Sequence, residues 1–296
     1  AMAAIEDDPE NPALTMENVV DKISRALDDR ARTAEEDARI RDAFGVTLSS
    51  DGTVSVEDTG DDSEKTKAFI VWGGGVGTVP ADSKIIKIER ELKIDPKSQL
   101  LASIMSKKFS VGSKYILIDI PYGKTAKIST IKKAKSLAEK FMQIGKYFHK
   151  KMKVVLTDGS QPIGNGVGPA LELMDIIKIL DPKKKGPKDL EKKSLFLAGN
   201  IFEMTGKAKN GKGIEMAQSI LYSGEAFEKF KEIVKAQHGN LNRIKYAKLK
   251  KDIFSDKTGR ITEIDNKKIN LLARTAGSPA DKSAGVYLYH HVGNIV

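Results

Sequence analysis

The chain has 296 residues, of which 40% are hydrophobic and 30% charged, and it contains no cysteine. This length and composition are typical of a globular protein with one or two domains, and the missing thiols exclude disulfides, thiolate metal sites and a cysteine nucleophile. Apolar runs stay well short of the roughly 20 residues that cross a bilayer, and the acidic start is not a signal peptide. We therefore expect a cytoplasmic protein with no membrane partner.

The net charge of +10 is distributed unevenly along the chain. Residues 1–65 contain 18 acidic and 7 basic side chains, whereas residues 66–296 contain 22 acidic and 43 basic ones. Such a basic region suits nucleic acid, or a small anion such as phosphate or a nucleotide. The lysines are spread over many predicted helix faces and are not grouped with aromatic side chains. Nucleic acid is therefore the less favoured partner, and a solvated lysine surface is the simplest interpretation.

The first 65 residues differ in character from the rest. Apolar residues at helical spacing predict a helix over residues 15–44, and two alternating stretches around Asp51-Gly52 predict a hairpin over residues 46–56. The polar sequence TGDDSEKT, residues 59–66, has the composition of a linker. We therefore predict an acidic helix–hairpin segment with its linker over residues 1–65, packed weakly on the remainder.

From Ala68 onward, short apolar strands alternate with helices. The pattern predicts strands at 69–72, 115–120 and 154–157, with helices at 99–108, at 131–148 and up to Leu180. The 131–148 helix is amphipathic, and its predicted inward residues are Ile131, Ala134, Leu137, Ala138, Phe141, Met142 and Phe148. Strands separated by helices pair in parallel through right-handed crossovers. The sequence therefore predicts an α/β fold with a parallel-type sheet and covering helices.

Three further helices are predicted after the lysine-rich linker at 181–188, covering 189–206, 212–222 and 224–237. The last of them is expected to end with Gly239 as its left-handed C-terminal glycine. Beyond residue 243, short segments flank a helix at 267–276 and indicate a small β-rich C-terminal module. We predict an α/β domain over 66–243, incomplete at its start, and a truncated β-rich module over 244–296.

Two glycine clusters, at 73–77 and 164–168, invite comparison with phosphate-binding loops. Glycines let backbone N–H groups approach an anion closely, above all at a helix N-terminus. The second cluster has the right strand-to-helix context, but it lacks a full G-x-G-x-x-G and the acidic residue expected about 20 residues later. Tight packing between strand and helix is the alternative, and the sequence leaves both interpretations open.

Ser103 and Lys107 are four residues apart on a predicted helix and so share one face. A hydroxyl and an ammonium presented together can hold a base carbonyl or a phosphate, although such pairs are also common on helix surfaces. The histidines show no metal-ligand spacing, and His149 and His238 lie near predicted helix ends. We predict no metal site and no cofactor.

Four signatures occur in order along the chain: the Pro80-Ala81-Asp82 turn, LLASIMSKK at 100–108, DIPYGKTAK at 119–127 and TDGSQPIGNGVGPALE at 157–172. With them the chain resembles the thymidine and pyrimidine-nucleoside phosphorylase family over about residues 67–296. VWGGGVGTVPADS and the EIDNKKIN to AGVYLY region are similar to its AMP phosphorylase branch, of archaeal type. The resemblance implies a nucleoside phosphorylase type of α/β fold.

The resemblance also implies a function, the transfer of a ribosyl group from a base to phosphate. In the AMP branch, AMP and phosphate would give adenine and ribose 1,5-bisphosphate. Ser83 and Lys107 match positions that contact the nucleotide, and Ser103 matches one that contacts the base in the pyrimidine branch. The resemblance further implies a homo-oligomer, such as a dimer, with AMP or another nucleotide or nucleoside and phosphate as its ligands.

Two departures from the family pattern bear on activity. The family's two phosphate-binding segments do not occur within residues 1–66, and Gly75 stands where the AMP branch is expected to have an acidic proton donor. Asp82 is the nearest carboxylate, but its place in the turn favours a bracing role. No catalytic residue is therefore assigned, and this chain alone is expected to be inactive. A non-catalytic binding or assembly module, a pyrimidine nucleoside phosphorylase and a basic nucleic-acid-binding protein remain as alternatives.

Overall fold

The computed structural model describes residues 46–48, 54–56, 66, 68, 70, 97–110 and 112–296. It contains two short strands early in the chain, β1 (Val46–Leu48) and β2 (Val54–Val56). They pair antiparallel, with Val46 opposite Val56 and Leu48 opposite Val54. The hairpin predicted around Asp51-Gly52 is thereby confirmed. The helix predicted at 15–44, the first glycine cluster and all of the strand predicted at 69–72 except Ile70 lie outside the described residues.

The α/β region contains two strands of eight residues, two strands of two residues, and several helices. Its strands are β3 (Tyr115–Tyr122), β4 (Lys151–Asp158), β5 (Gly166–Val167) and β6 (Val286–Tyr287). Its helices are α1 (Lys97–Ser110), α2 (Ile131–Tyr147), α3 (Pro169–Leu180), α4 (Lys188–Met204), α5 (Gly213–Tyr222), α6 (Glu225–Ala236) and α7 (Asn266–Thr275), with a 3-10 turn at Leu241–Arg243. No helix in these described ranges combines the length and apolar character needed to cross a membrane.

Strands β3 and β4 form a parallel pair. The Lys151 N–H donates to the carbonyl of Lys114, and the Gly159 N–H donates to the carbonyl of Tyr122. The two strands therefore run in the same direction. Helix α2 makes the crossover between them. Strand β5 pairs antiparallel with β6, with Gly166 opposite Tyr287. The predicted α/β class with parallel strand pairing is confirmed, and β6 from the C-terminal segment joins β5 in this small antiparallel pair.

The chain divides into two compact units. One comprises the residues up to Ile116 together with Lys140–Met152 and Ile233–His238, and the other comprises Leu117–Glu139, Lys153–Glu232 and Gly239–Val296. In the described part of the first unit, the most deeply buried apolar side chains are Leu101, Met105, Phe141 and Ile144. In the second unit, Leu195, Ala217 and Leu221 form a cluster between α4 and α5. The domain boundaries predicted after residues 65 and 243 stay predictions.

Helix α2 follows the predicted amphipathic pattern with two exceptions. Ala134, Leu137 and Phe141 are buried as expected, whereas Ile131 and Met142 expose 48% and 44% of their surface. Ile131 lies at the first position of the helix, beyond the part that is covered. Met142 follows Phe141 directly, and a step of one residue rotates a side chain by about 100° around a helix. The apolar stripe is therefore narrower than the sequence suggested.

The ends of α2 and α6 correct one detail of the sequence analysis. His149 and His238 follow these helices with backbone φ angles of 52° and 55°, so a histidine and not Gly239 takes the left-handed position after α6. Non-glycine residues adopt this conformation only occasionally, histidine being among the more tolerant. The N–H of His238 donates to the carbonyl of Lys235, which closes the last helical turn before Gly239 is reached.

Candidate functional site

Ser103 and Lys107 lie together on α1, as their spacing predicted. The Lys107 ammonium donates a long hydrogen bond to Ser103 Oγ at 3.4 Å, and both side chains are half-buried. The opposite side of the helix carries Leu101, Met105 and Phe109, which are buried. Because the core side is occupied, the hydroxyl and the ammonium occupy the partly exposed side of the helix, where a ligand can reach them.

The third predicted site residue, Ser83, lies outside the described residues, as does the Pro80-Ala81-Asp82 turn. The structure therefore brings together two of the three predicted side chains, and the convergence of Ser83 with them stays a prediction. The substrate-binding role of all three residues stays a prediction as well.

The second glycine cluster, Gly164–Gly168, is held by carboxylates of the chain itself. Asp175 Oδ2 accepts the N–H groups of Asn165 and Gly166, both at 2.7 Å. Asp189 Oδ2 accepts the N–H of Gly164 at 3.0 Å, and Glu172 Oε1 accepts that of Gly168 at 2.9 Å. Four backbone donors of the loop are thus occupied by three acidic side chains.

This arrangement decides between the two interpretations of the loop. A phosphate would need N–H groups that carboxylates already hold, and it would meet negative charge in their place. The glycines also serve close packing: a Cβ at Gly166 would lie 2.5 Å from the backbone of Leu171, and one at Gly168 would lie 2.5 Å from the carbonyl oxygen of Ala284. The cluster packs a strand against a helix and a neighbouring segment, and it is not a phosphate loop.

Asn165 in the same loop joins it to residues near the C-terminus. Its backbone carbonyl accepts the N–H of Leu288 at 2.7 Å, and its side-chain amide donates to Tyr287 Oη at 3.1 Å. Its side-chain oxygen lies 2.9 Å from Nε2 of His291. The hydrogen-bonding role of Asn165 was missed by the sequence analysis, because its partners lie more than 120 residues away. His290 and His291 fall after the end of β6.

Asp119 is a second anchor that the sequence did not reveal. It accepts a hydrogen bond from Thr157 Oγ1 at 2.6 Å and forms an ion pair with the Lys193 ammonium, also at 2.6 Å. The Lys193 and Asp119 side chains are each only about one-fifth exposed, 19% and 21%. This network ties β3, β4 and α4 together, and it positions one wall of a cavity at the carboxyl end of β4.

That cavity, named here the strand-end cavity, has a volume of about 350 Å³. Thr157 and Asp158 border it at the end of β4, Gln161 and Ile163 come from the following loop, and the first turns of α4 form the remaining wall. In α/β folds, ligands bind outside the carboxyl ends of the strands. That general rule, applied to TDGSQP, was the signal from which the cavity could have been expected.

Similarity to known proteins agrees with the signatures of the sequence. No family model matches the chain. The AMP phosphorylase of Pyrococcus abyssi is 44% identical over 278 residues, which is 92% of this chain and 53% of that protein. The AMP phosphorylase of Thermococcus kodakarensis is 43% identical over 281 residues, with the same shares of 92% and 53%.

A third relative, AMP phosphorylase 1 of Archaeoglobus fulgidus, is 42% identical over 251 residues, covering 82% of this chain and 48% of its own length. The chain thus spans about half the length of the curated relatives it matches. Identity at this level over most of the chain confirms the resemblance drawn from the four signatures. The chain belongs to the AMP phosphorylase branch of the nucleoside phosphorylase family.

Proposed function

We propose that this chain serves the phosphorolysis of AMP to adenine and ribose 1,5-bisphosphate, as part of nucleotide salvage. The observation that carries the proposal is the pairing of family similarity with local geometry. The LLASIMSKK signature forms α1, and α1 presents the Lys107 ammonium 3.4 Å from Ser103 Oγ on its partly exposed side. AMP is the substrate in the names of the relatives that the chain matches.

The proposed roles follow from what the reaction requires. Cleaving the bond from ribose to base builds positive charge on the sugar, needs a phosphate held in line, and needs a proton for the departing base. Lys107 would provide a fixed positive charge for an anionic group of the nucleotide. Ser103 would orient the base, and Ser83 the nucleotide, by hydrogen bonding. The proton donor is not assigned to a residue.

Binding of AMP by the full chain tests the role of Lys107. The Lys107→Ala variant should bind AMP at least about tenfold more weakly, because it loses a charge-assisted hydrogen bond. Lys108→Ala is the matched control, since Lys108 is the next residue on α1 and is exposed. Isothermal titration calorimetry measures both variants. Equal affinity of Lys107→Ala and the unaltered chain would contradict the proposed contact.

Turnover is a separate measurement. Neither phosphate-binding segment of the family pattern occurs in residues 1–66, so we expect no phosphorolysis by the 296-residue chain alone. Release of free base from AMP, CMP, UMP and thymidine is the assay, and it also tests the pyrimidine alternative. Turnover on the order of 1–10³ per second would overturn this expectation.

We also propose that the protein is a cytoplasmic homo-oligomer. Light scattering tests the assembly by measuring the mass of the protein in solution.

A further inference from the structure

The strand-end cavity has a composition that selects a class of ligand. Asp189, Lys192 and Phe196 border it from α4, at spacings of three and four residues, so they share one face of the helix. Pro162 and Ile163 border it from the loop after β4. Its volume of about 350 Å³ lies within the range of small-molecule sites, which combine apolar walls with a few polar groups.

The apolar walls suit a flat ligand. Phe196 on α4 exposes 36% of its surface, and Ile163 in the loop after β4 exposes 38%. An aromatic ring of this kind offers a stacking surface to any nucleobase, because every base has a π-face. A ligand lying on Phe196 would cover apolar surface that the described part of the chain leaves in contact with solvent.

Among the residues that the structure describes, the polar groups of the cavity include carboxylate oxygens without a donor and an ammonium without an ion pair. Asp158 Oδ1 accepts the N–H of Ser160 at 2.9 Å, and Asp189 Oδ2 accepts that of Gly164 at 3.0 Å. The second oxygen of each carboxylate has no donor in the described part of the chain. Lys193 is neutralised by Asp119, whereas the Lys192 ammonium forms no ion pair with any described residue.

Two carboxylates facing the cavity disfavour a phosphate group, and they favour a ligand that donates hydrogen bonds. An exocyclic amine donates to a carboxylate oxygen, and a ring nitrogen accepts from an ammonium or from the Gln161 amide. We propose that the strand-end cavity binds a free nucleobase carrying an exocyclic amine, stacked on Phe196 and held through Asp158, Asp189 and Lys192. The choice of adenine as the first ligand rests on the proposed function, in which adenine is released.

The test titrates adenine and AMP into the full 296-residue chain by calorimetry. Adenine should bind, and Phe196→Ala should weaken it about tenfold through loss of stacking. Phe196→Leu keeps an apolar side chain of similar size, so an equal loss in that variant, with an unchanged melting temperature, assigns the effect to the aromatic ring. Asp158→Asn should weaken adenine severalfold while keeping the oxygen that accepts the Ser160 N–H.

Lys192→Ala should lower adenine affinity, and Lys188→Ala, one turn earlier on α4 and exposed, should not. Adenine that fails to bind, or binds equally well to Phe196→Ala, overturns the proposal. The proposal is also overturned if Phe196→Ala lowers the affinity for AMP as much as the affinity for adenine. In that case the cavity would accept a ligand that carries a phosphate. If adenine depends on Phe196 while AMP is not bound through Lys107, the proposed function fails and the base site stands.

Discussion

The Gly164–Gly168 loop and the Ser103–Lys107 side of α1 use their polar groups in opposite ways. In the loop, four backbone N–H groups donate to three carboxylates at 2.7–3.0 Å. On α1, an ammonium and a hydroxyl 3.4 Å apart remain half-exposed on the side of the helix away from the core. The loop is rich in glycine, as anion-binding loops are, whereas α1 carries its hydroxyl and its ammonium at ordinary helical spacing.

The comparison shows that a glycine-rich loop binds an anion only if its amides are unoccupied. Glycines supply close approach, but close approach serves protein packing as readily as a ligand. Ser103 and Lys107 differ from the loop amides because no carboxylate in the described part of the chain accepts from them and their side chains are partly exposed. Three predictions test this division of roles, and they are ordered by the size of the expected effect.

The largest effect is expected from removing Asp175, which is 1% exposed and accepts two loop N–H groups at 2.7 Å. Asp175→Ala should lower the free energy of unfolding by about 3 kcal/mol, because the buried Gly166 N–H and the partly buried Asn165 N–H lose a charged acceptor. Urea denaturation measures the loss. Asp256→Ala, at an exposed aspartate, is the control and should stay within about 0.5 kcal/mol of the unaltered chain. A small effect at Asp175 would mean that the loop does not depend on its carboxylate.

A smaller effect is expected at Gly168, where φ is 130° and a Cβ would lie 2.5 Å from the Ala284 carbonyl oxygen. Gly168→Ala should destabilise the fold by about 2 kcal/mol, from backbone strain together with the clash. Gly206→Ala separates the two causes, since Gly206 has a positive φ of 74° but nothing within 4 Å of an added Cβ. If both variants melt at the same temperature, close packing is not the function of the loop glycine.

The smallest change in stability is expected on α1. Ser103→Ala should leave unfolding almost unchanged, because Ser103 is half-buried on the accessible side, yet it should weaken AMP binding about threefold through loss of one hydrogen bond. Ser106→Ala reverses the expectation: Ser106 is fully buried, and its hydroxyl donates to the Ser103 carbonyl at 3.3 Å, so stability should fall and AMP affinity should not. If Ser103→Ala and Ser106→Ala both changed stability and neither changed AMP affinity, Ser103 would not be part of the binding site.

Much of the local structure could be predicted from the sequence because it depends on neighbours along the chain. The alternating residues on either side of Asp51-Gly52 predict β1 and β2, and the spacing of Ala134, Leu137 and Phe141 predicts α2. The same is true of Ser103 and Lys107, which meet because a helix brings residues four apart to one face. The predicted boundaries were less accurate. Strand β4 begins at Lys151, three residues earlier than predicted, where two of the three added residues are lysines.

The sequence by itself determined the family, the α/β class and the shared face of Ser103 and Lys107, since signatures and periodicity are local properties. Only the tertiary structure decided which acidic side chains hold the Gly164–Gly168 amides. Asp175 and Asp189 reach those amides from 10 and 25 residues away, and Asn165 meets Tyr287 and His291 across 122 and 126 residues. Hydrogen bonds between such distant residues leave no periodic trace in the chain, because they depend on how α3, α4 and β6 pack around the loop.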